Sequence, residues 1–139
     1  MHHFNAATVH CAFGLMHPTL ADPQVAGVGF TERQARAAGS DVMTSVLPLD
    51  QLPRARAAHD TRGLIKLVAE AATGKLLGGQ IIAPEGSDSI QTLALALKAG
   101  MTAQALGETI FPYLTTVEGL KLAAQSFGKD VTKLSCCAG

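Results

Sequence analysis

The chain has 139 residues, of which 47% are hydrophobic and 16% charged, and its 11 basic and 11 acidic residues leave no net charge. A single folded domain is expected, because disordered chains combine few apolar residues with a high net charge. The neutral balance removes the electrostatic argument for binding nucleic acid or an anionic membrane surface. No apolar run reaches the ~18 residues of a membrane span, and the N-terminus lacks signal-peptide features. A cytoplasmic protein is therefore expected.

The N-terminal half predicts two strands with a short helix between them. Residues 1–21 have weak periodicity and are predicted to be irregular. Residues 24–30 are typical of a strand, after which Thr31 is the expected N-cap of a helix that Gly39 ends. Alternation over residues 41–47 predicts the second strand.

The middle of the chain predicts a β-hairpin. Residues 52–60 are expected to form an irregular connector. Apolar and polar residues then alternate over residues 63–70 and 76–83, on either side of a short turn at Thr73 and Gly74. Two alternating segments around a polar, glycine-containing turn are the sequence signature of a hairpin.

The C-terminal half predicts helices. Ser87 or Asp88 is the expected cap of a helix over residues 89–99. That helix carries apolar residues at helical spacing, namely Ile90, Leu93, Ala94 and Leu97. Thr102 is the expected cap of a shorter helix at residues 103–106.

A break and a last helix follow. Pro112 disfavours helical geometry at Phe111, so the Phe111-Pro112-Tyr113 stretch is expected to interrupt the helices. Thr115 or Thr116 is expected to open the last helix, and Gly128 to close it.

The order of these elements predicts an α+β fold, a mostly antiparallel sheet with helices packed on one face. Such a layer leaves apolar surface on its helices or at its sheet edge. A large exposed apolar surface commonly marks contact with another protein. Self-association is therefore expected.

The adjacent cysteines Cys136 and Cys137 are the sharpest chemical feature of the sequence. Thiolates are soft ligands that select soft metal ions. An adjacent pair near the C-terminus could hold a two-coordinate ion and pass it on, because thiolate exchange is fast where sulfur is exposed. The alternative reading is a pair of terminal cysteines without a role.

Two further chemical readings have less support. A closed zinc site needs four ligands, but Cys11, His10, His17 and His59 are scattered without metal-site spacing. Tyr113, in the break between helices, could offer its hydroxyl to a ligand. The alternative for Tyr113 is a half-buried ring whose hydroxyl bonds to the backbone.

Five stretches carry a recognisable family pattern: residues 22–32, 53–55, 60–68, 111–125, with its Phe111-Pro112-Tyr113 motif, and 129–139, with its Cys136-Cys137 pair. Over residues 22–139 the chain resembles the C-terminal dimerisation domain of the pyridine nucleotide-disulfide oxidoreductases. The last two stretches resemble those of the mercuric reductases within that family. The resemblance implies a flavoprotein disulfide reductase interface domain at residues 22–128 and a tail at 129–139, after a non-matching segment at residues 1–21.

The resemblance also implies roles for particular residues. Cys136 and Cys137 match the tail pair that takes up Hg(II) and hands it to a redox-active cysteine pair beside FAD in the partner subunit. Tyr113 matches a tyrosine near the metal, which makes Tyr113, Cys136 and Cys137 the candidate catalytic residues. Phe111 stands where lipoamide dehydrogenase and glutathione reductase carry a catalytic histidine, so no imidazole is available there as a proton acceptor.

The function expected from the resemblance is dimerisation and metal delivery within an enzyme that reduces Hg(II) to Hg(0) with NADPH through FAD. The partner is a second copy of the chain or a full-length reductase subunit. No Gly-x-Gly-x-x-Gly phosphate motif occurs, so the chain by itself is expected to bind neither FAD nor NADPH and to be inactive alone. The alternatives are a stand-alone homodimerising module and a small thiol metal-binding protein.

Overall fold

A computed structural model describes residues 21–129 of the chain. Between those residues none of the helices is long and apolar enough to cross a membrane. The strands and helices, in chain order, are β1 (Gln24–Gly29), α1 (Glu32–Ala37), β2 (Val42–Pro48), a 3-10 turn (Leu49–Gln51), α2 (Pro53–Ala57), β3 (Leu64–Glu70), β4 (Leu76–Ala83), α3 (Gly86–Lys98), α4 (Ala103–Glu108) and α5 (Glu118–Gln125).

The four described strands form one sheet in the order β1-β4-β3-β2, and every neighbouring pair is antiparallel. β3 and β4 form the predicted hairpin, which turns at Gly74 with a positive φ of 72°. The outer strands pair on either side of the hairpin, with Val25 opposite Ile82 and Val46 opposite Lys66. The predicted α+β fold with an antiparallel sheet is confirmed.

The main core lies between one face of the sheet and the helices that cover it. α3 packs against β1 and β4, and α5 packs against β2 and β3. The largest side chains in this core are fully buried, namely Leu47, Leu49, Leu52, Ile65, Leu67, Ile81, Ile90, Leu93, Leu106 and Leu120. Burial of each such side chain contributes roughly 1.5–3 kcal/mol, so this layer provides most of the driving force for folding.

The short helix α1 lies on the opposite face of the sheet. Its Ala35 packs with Val42 and Val68, beside the half-buried Phe30 and Leu77. Alternation along β3 explains this second cluster, because Val68 points away from the face that Leu67 buries. The predicted packing of helices on one face of the sheet therefore holds for the helices that cover the main core. α1 packs on the other face.

The prediction of an irregular connector at residues 52–60 is wrong. Residues 53–57 form α2, directly after the 3-10 turn. Pro53 suits the first turn of a helix, where its missing N–H is not needed. Leu52 and Ala55 are buried in the core, so tertiary packing stabilises a helix that propensity alone does not indicate.

The predicted cap of α3 at Ser87 or Asp88 is also wrong, because the helix begins at Gly86. Glu85 stands at the N-cap position in a left-handed conformation and its side chain makes no capping bond. The backbone N–H of Ser87 instead donates to Oε1 of Gln24 at 2.9 Å. A side chain from β1 therefore satisfies this helix end, which no local sequence pattern could indicate.

The predicted N-caps of α1 and α4 and the predicted stop of α1 at Gly39 are confirmed. Thr31 and Gln34 form a reciprocal capping box at the start of α1, and Gly39 follows the helix with a positive φ of 86°. Thr102 caps α4 by accepting the N–H of Ala105 at 3.1 Å. The last helix ends at Gln125, three residues before the predicted stop at Gly128.

Replacement of Gly78 by alanine should destabilise the fold. A Cβ at Gly78 would collide with the backbone of Phe30, whereas a Cβ at Gly27 would lie an ordinary 3.5 Å from Cγ of Gln80. We expect Gly78→Ala to lower the free energy of unfolding by about 1–3 kcal/mol, and the control Gly27→Ala to change it by less than about 0.5 kcal/mol. Urea unfolding measures both, and equal stabilities would contradict this packing.

The guanidinium of Arg62 joins two carboxylates, that of the exposed Asp22 and that of the partly buried Asp60. Its Nη2 lies 2.7 Å from Oδ2 of Asp60 and 3.0 Å from Oδ1 of Asp22. Hydrogen bonds from Arg62 lower the pKa of Asp60 to about 2. Because that pKa is depressed in the folded chain, the pair stabilises the fold above pH ~4, and this contribution is lost as the pH falls through about 2.

The variant Arg62→Met should raise the pKa of Asp60 towards its ordinary value of 3.8. The matched control is Lys66→Met, because the hydrogen bond from Lys66 is the main cause, followed by that from Arg36, of the lowered pKa of Glu32. Carboxyl NMR titration should show each variant raising the pKa of its own partner alone. A shift of both pKa values in both variants would mean that these pairs are not local.

Candidate functional site

The segment between α4 and α5 exposes apolar side chains. Residues 110–114, called the 110–114 loop below, lie outside any helix or strand, as the predicted break requires. Ile110 is 95% exposed, and Tyr113 and Leu114 are 64% and 39% exposed. Phe111 is half-buried against the main core, so it anchors the loop while its neighbours remain accessible.

Tyr113 presents its phenol to solvent. Within residues 21–129 its hydroxyl has no hydrogen-bond partner, and the ring is mostly exposed. The alternative of a half-buried tyrosine bonded to the backbone is therefore not observed. The phenol oxygen is available to a ligand or to a partner chain.

Local hydrogen bonds fix the backbone on both sides of Tyr113. Oγ1 of Thr115 donates to the carbonyl of Pro112 at 2.8 Å and accepts the N–H of Glu118 at 3.3 Å. The N–H of Leu114 donates to Oε2 of Glu118 at 3.3 Å. These bonds hold Leu114 at a φ of 62°, a left-handed conformation that costs about 1–2 kcal/mol for a residue with a side chain.

The last helix starts later than predicted, and Glu118 is not among the predicted site residues. The helix begins at Glu118, and Val117 at the N-cap position makes no side-chain bond. Thr115 nevertheless accepts a backbone N–H three residues later, as the cap of a helix would. Thr115-Thr116-Val117-Glu118 fits the Thr-x-x-Glu capping-box pattern, and that signal could have identified both side chains.

A second contact links the start of α5 to the start of α3. Oγ1 of the buried Thr116 donates to Oε2 of Glu85 at 3.4 Å. Glu85 adopts a left-handed φ of 60° directly before α3. The backbone next to the 110–114 loop is therefore tied to the helix layer as well as to its own helix.

A buried hydroxyl pair fixes the other end of α5 to the sheet. Oγ of Ser45 on β2 donates to the carbonyl of Ala123 and lies 2.7 Å from Oγ of Ser126. Both serines are buried. Neither serine is predicted from the sequence, because isolated serines carry no spacing signal.

The predicted metal-binding pair Cys136-Cys137 lies outside the described residues, as do Cys11, His10 and His17 of the zinc reading. Among residues 21–129, no group of three or more histidine, cysteine, aspartate or glutamate side chains is arranged to hold a metal ion. Of the candidate catalytic residues the structure thus describes Tyr113, and of the zinc candidates it describes His59, which is exposed.

The sequence from residue 17 to residue 124 matches the family described as pyridine nucleotide-disulphide oxidoreductase, dimerisation domain. The chain belongs to this family. The matched residues include all four described strands of the sheet and most of the helix layer.

The curated relatives that this chain matches within the family include mercuric reductases. The chain is 57% identical over 118 residues to that of Shigella flexneri, which covers 85% of this chain and 21% of the relative. It is 54% identical over 123 residues to that of Serratia marcescens, which covers 88% of this chain and 27% of the relative. The chain is thus the dimerisation domain of a mercuric reductase-like disulfide oxidoreductase, and it spans about a quarter of the length of these relatives.

Solved structures agree on the fold. The HOCl-induced flavoprotein disulfide reductase of Escherichia coli superposes with a TM-score of 0.76 at 28% identity, over 81% of this chain and 26% of that one. LpdA of Mycobacterium tuberculosis superposes with a TM-score of 0.75 at 24% identity, over 86% of this chain and 28% of that one. The second likeness supports the fold alone.

Proposed function

We propose that this chain is the dimerisation and metal-delivery part of a mercuric reductase. The whole enzyme reduces Hg(II) to Hg(0) with NADPH through FAD. NADPH gives up two electrons and becomes NADP⁺, and a proton is released. The observation that carries the proposal is 57% identity over 118 residues to a mercuric reductase. The matched stretch covers 85% of this chain.

The tail supplies the chemistry of metal capture in this proposal. Cys136 and Cys137 bind Hg(II) as thiolates, because soft sulfur ligands select soft ions. Binding releases the thiol protons. The pair then exchanges the ion onto a redox-active cysteine pair in the partner subunit.

Tyr113 and Phe111 shape the surroundings of the ion as it is transferred. The exposed phenol of Tyr113 has no partner within residues 21–129, so its oxygen is free to approach a thiolate-bound metal. The phenyl ring of Phe111 is half-buried against the core and offers no group that accepts a proton. The loop therefore favours ligand exchange between thiolates over general base catalysis.

The described residues do not fit a flavin or a nicotinamide dinucleotide. In dinucleotide-binding folds a parallel strand leads through glycines into a helix whose free N–H groups bind the pyrophosphate. Here β1 is antiparallel to β4, and the N-terminus of α1 is already capped by Thr31 and Gln34. FAD and NADPH belong to other domains of the enzyme in this proposal.

Assembly completes the proposed site. The exposed Ile110 and Leu114 flank Tyr113, so burying them against a second subunit would bring the phenol to that subunit's redox centre. The partner is a second copy of this chain or a full-length reductase subunit, in the cytoplasm.

Self-association through the 110–114 loop is expected to depend on Ile110. Sedimentation at micromolar concentration should show a dimer, and Ile110→Lys should weaken it by about tenfold or more, as loss of ~1.4 kcal/mol does. The control Val46→Lys places the same charge on an exposed position of edge strand β2, where lysine is well tolerated. A monomeric wild-type chain, or equal effects of both variants, would contradict the proposed interface.

Tight Hg(II) binding is expected to depend on the tail. The chain should bind one Hg(II) with release of protons, and the double variant Cys136→Ala/Cys137→Ala should abolish this binding. The control Cys11→Ala removes the remaining cysteine and should leave it unchanged. Titration with Hg(II) in the presence of a competing thiol measures affinity. A double variant that binds as tightly as the wild type would refute metal delivery by this tail.

A further inference from the structure

We propose that Glu118 is a positioning residue whose buried carboxylate, together with Thr115, sets the orientation of Tyr113. The importance of that orientation for the metal rests on the proposed function, whereas the positioning itself rests on contacts within the described residues. Glu118 is the first residue of α5 and is only 5% exposed. Its side chain therefore points back along the chain instead of into solvent.

Glu118 restrains the peptide group on the C-terminal side of Tyr113. Its Oε2 accepts the N–H of Leu114 at 3.3 Å. That N–H lies in the same plane as the carbonyl of Tyr113, because the peptide bond is planar. The bond thus restricts ψ of Tyr113 and φ of Leu114 together.

Thr115 restrains the peptide group on the N-terminal side of Tyr113. Its Oγ1 donates to the carbonyl of Pro112 at 2.8 Å, and that carbonyl shares a plane with the N–H of Tyr113. The same oxygen accepts the N–H of Glu118. Both peptide planes that flank Tyr113 are thus bound to side chains of a single Thr-x-x-Glu unit.

A role limited to stabilising α5 would have a different signature. An acidic residue in the first turn of a helix is favourable through the helix dipole alone. Loss of that effect would weaken the whole fold and leave the 110–114 loop in place. The left-handed φ of 62° at Leu114 is the feature that requires a local restraint, because a leucine released from it would relax to a commoner backbone conformation.

The sequence offers a direct probe, because Tyr113 is its only tyrosine and tryptophan is absent. Tyrosine fluorescence anisotropy and near-ultraviolet circular dichroism of the full chain therefore report on this one side chain. In Glu118→Ala the loop should gain nanosecond motion, and both signals should fall by about half or more. In Glu118→Gln an amide oxygen still accepts the N–H of Leu114, so both signals should stay near those of the wild type.

The control is Gln125→Ala at the other end of α5, where Nε2 of Gln125 donates to the carbonyl of Gly107 at 2.9 Å. It should reduce stability without changing the Tyr113 signals. Thr115→Val, which keeps the side-chain shape but removes the hydroxyl, should lower the signals as Glu118→Ala does. Far-ultraviolet circular dichroism and sedimentation confirm the same fold and association state for every chain compared.

Unchanged Tyr113 signals in a folded Glu118→Ala, or in Thr115→Val if the first variant does not fold, would overturn the proposal. An equal loss in Gln125→Ala or in Glu118→Gln would also overturn it. The measurements are made without mercury, so they are independent of metal delivery. Loss of Tyr113 order in Glu118→Ala alongside intact Hg(II) binding by Cys136→Ala/Cys137→Ala would support positioning and refute the proposed function.

Discussion

The pairing of β3 with β4 is the constraint on which the other elements depend. These strands are the two inner strands of the sheet, and each provides the hydrogen-bonding edge for one outer strand. Their register places Ile65 opposite Ile81, and both side chains are completely buried towards the helices. A slip of one residue would turn these side chains to the opposite face, so this register determines which face the helix layer covers.

The helix layer in turn presents the 110–114 loop. α4 and α5 contact each other closely, and Gln125 binds the carbonyl of Gly107 across them. Residues 109–117 connect α4 to α5. Phe111 and Val117 anchor this connection to the core. Ile110, Tyr113 and Leu114 lie at the surface.

Much of this architecture could be predicted from the sequence. Alternation around Thr73 and Gly74 indicated the hairpin, and the threonines at positions 31 and 102 indicated helix starts, because these signals act between near neighbours. The N-terminal end of α3 and the burial of α2 could not be predicted from near neighbours in the sequence. They depend on Gln24 and on packing of Leu52 and Ala55, contacts that join residues far apart in sequence.

The candidate site shows the same division. The Phe111-Pro112-Tyr113 break and the likeness to mercuric reductases indicated Tyr113 as a candidate site residue. The adjacent Cys136 and Cys137 indicated thiol chemistry. The left-handed Leu114 has no sequence signature, since leucine rarely adopts that conformation. Ser45 and Ser126 could not be predicted, because their hydroxyl groups form a hydrogen bond only when β2 packs against the C-terminal end of α5.

The hydrogen bonds that Thr115 and Glu118 make to the backbone of the 110–114 loop join residues 112–118. These bonds hold the loop in one backbone conformation before any partner docks on it. A partner that docks on it has little backbone entropy to remove, and the free energy of complex formation then depends mainly on desolvation of the apolar side chains. Such a surface resembles the rigid interfaces of enzyme–inhibitor pairs, whose backbones change little on binding, more than it resembles a segment that folds only when it meets its target.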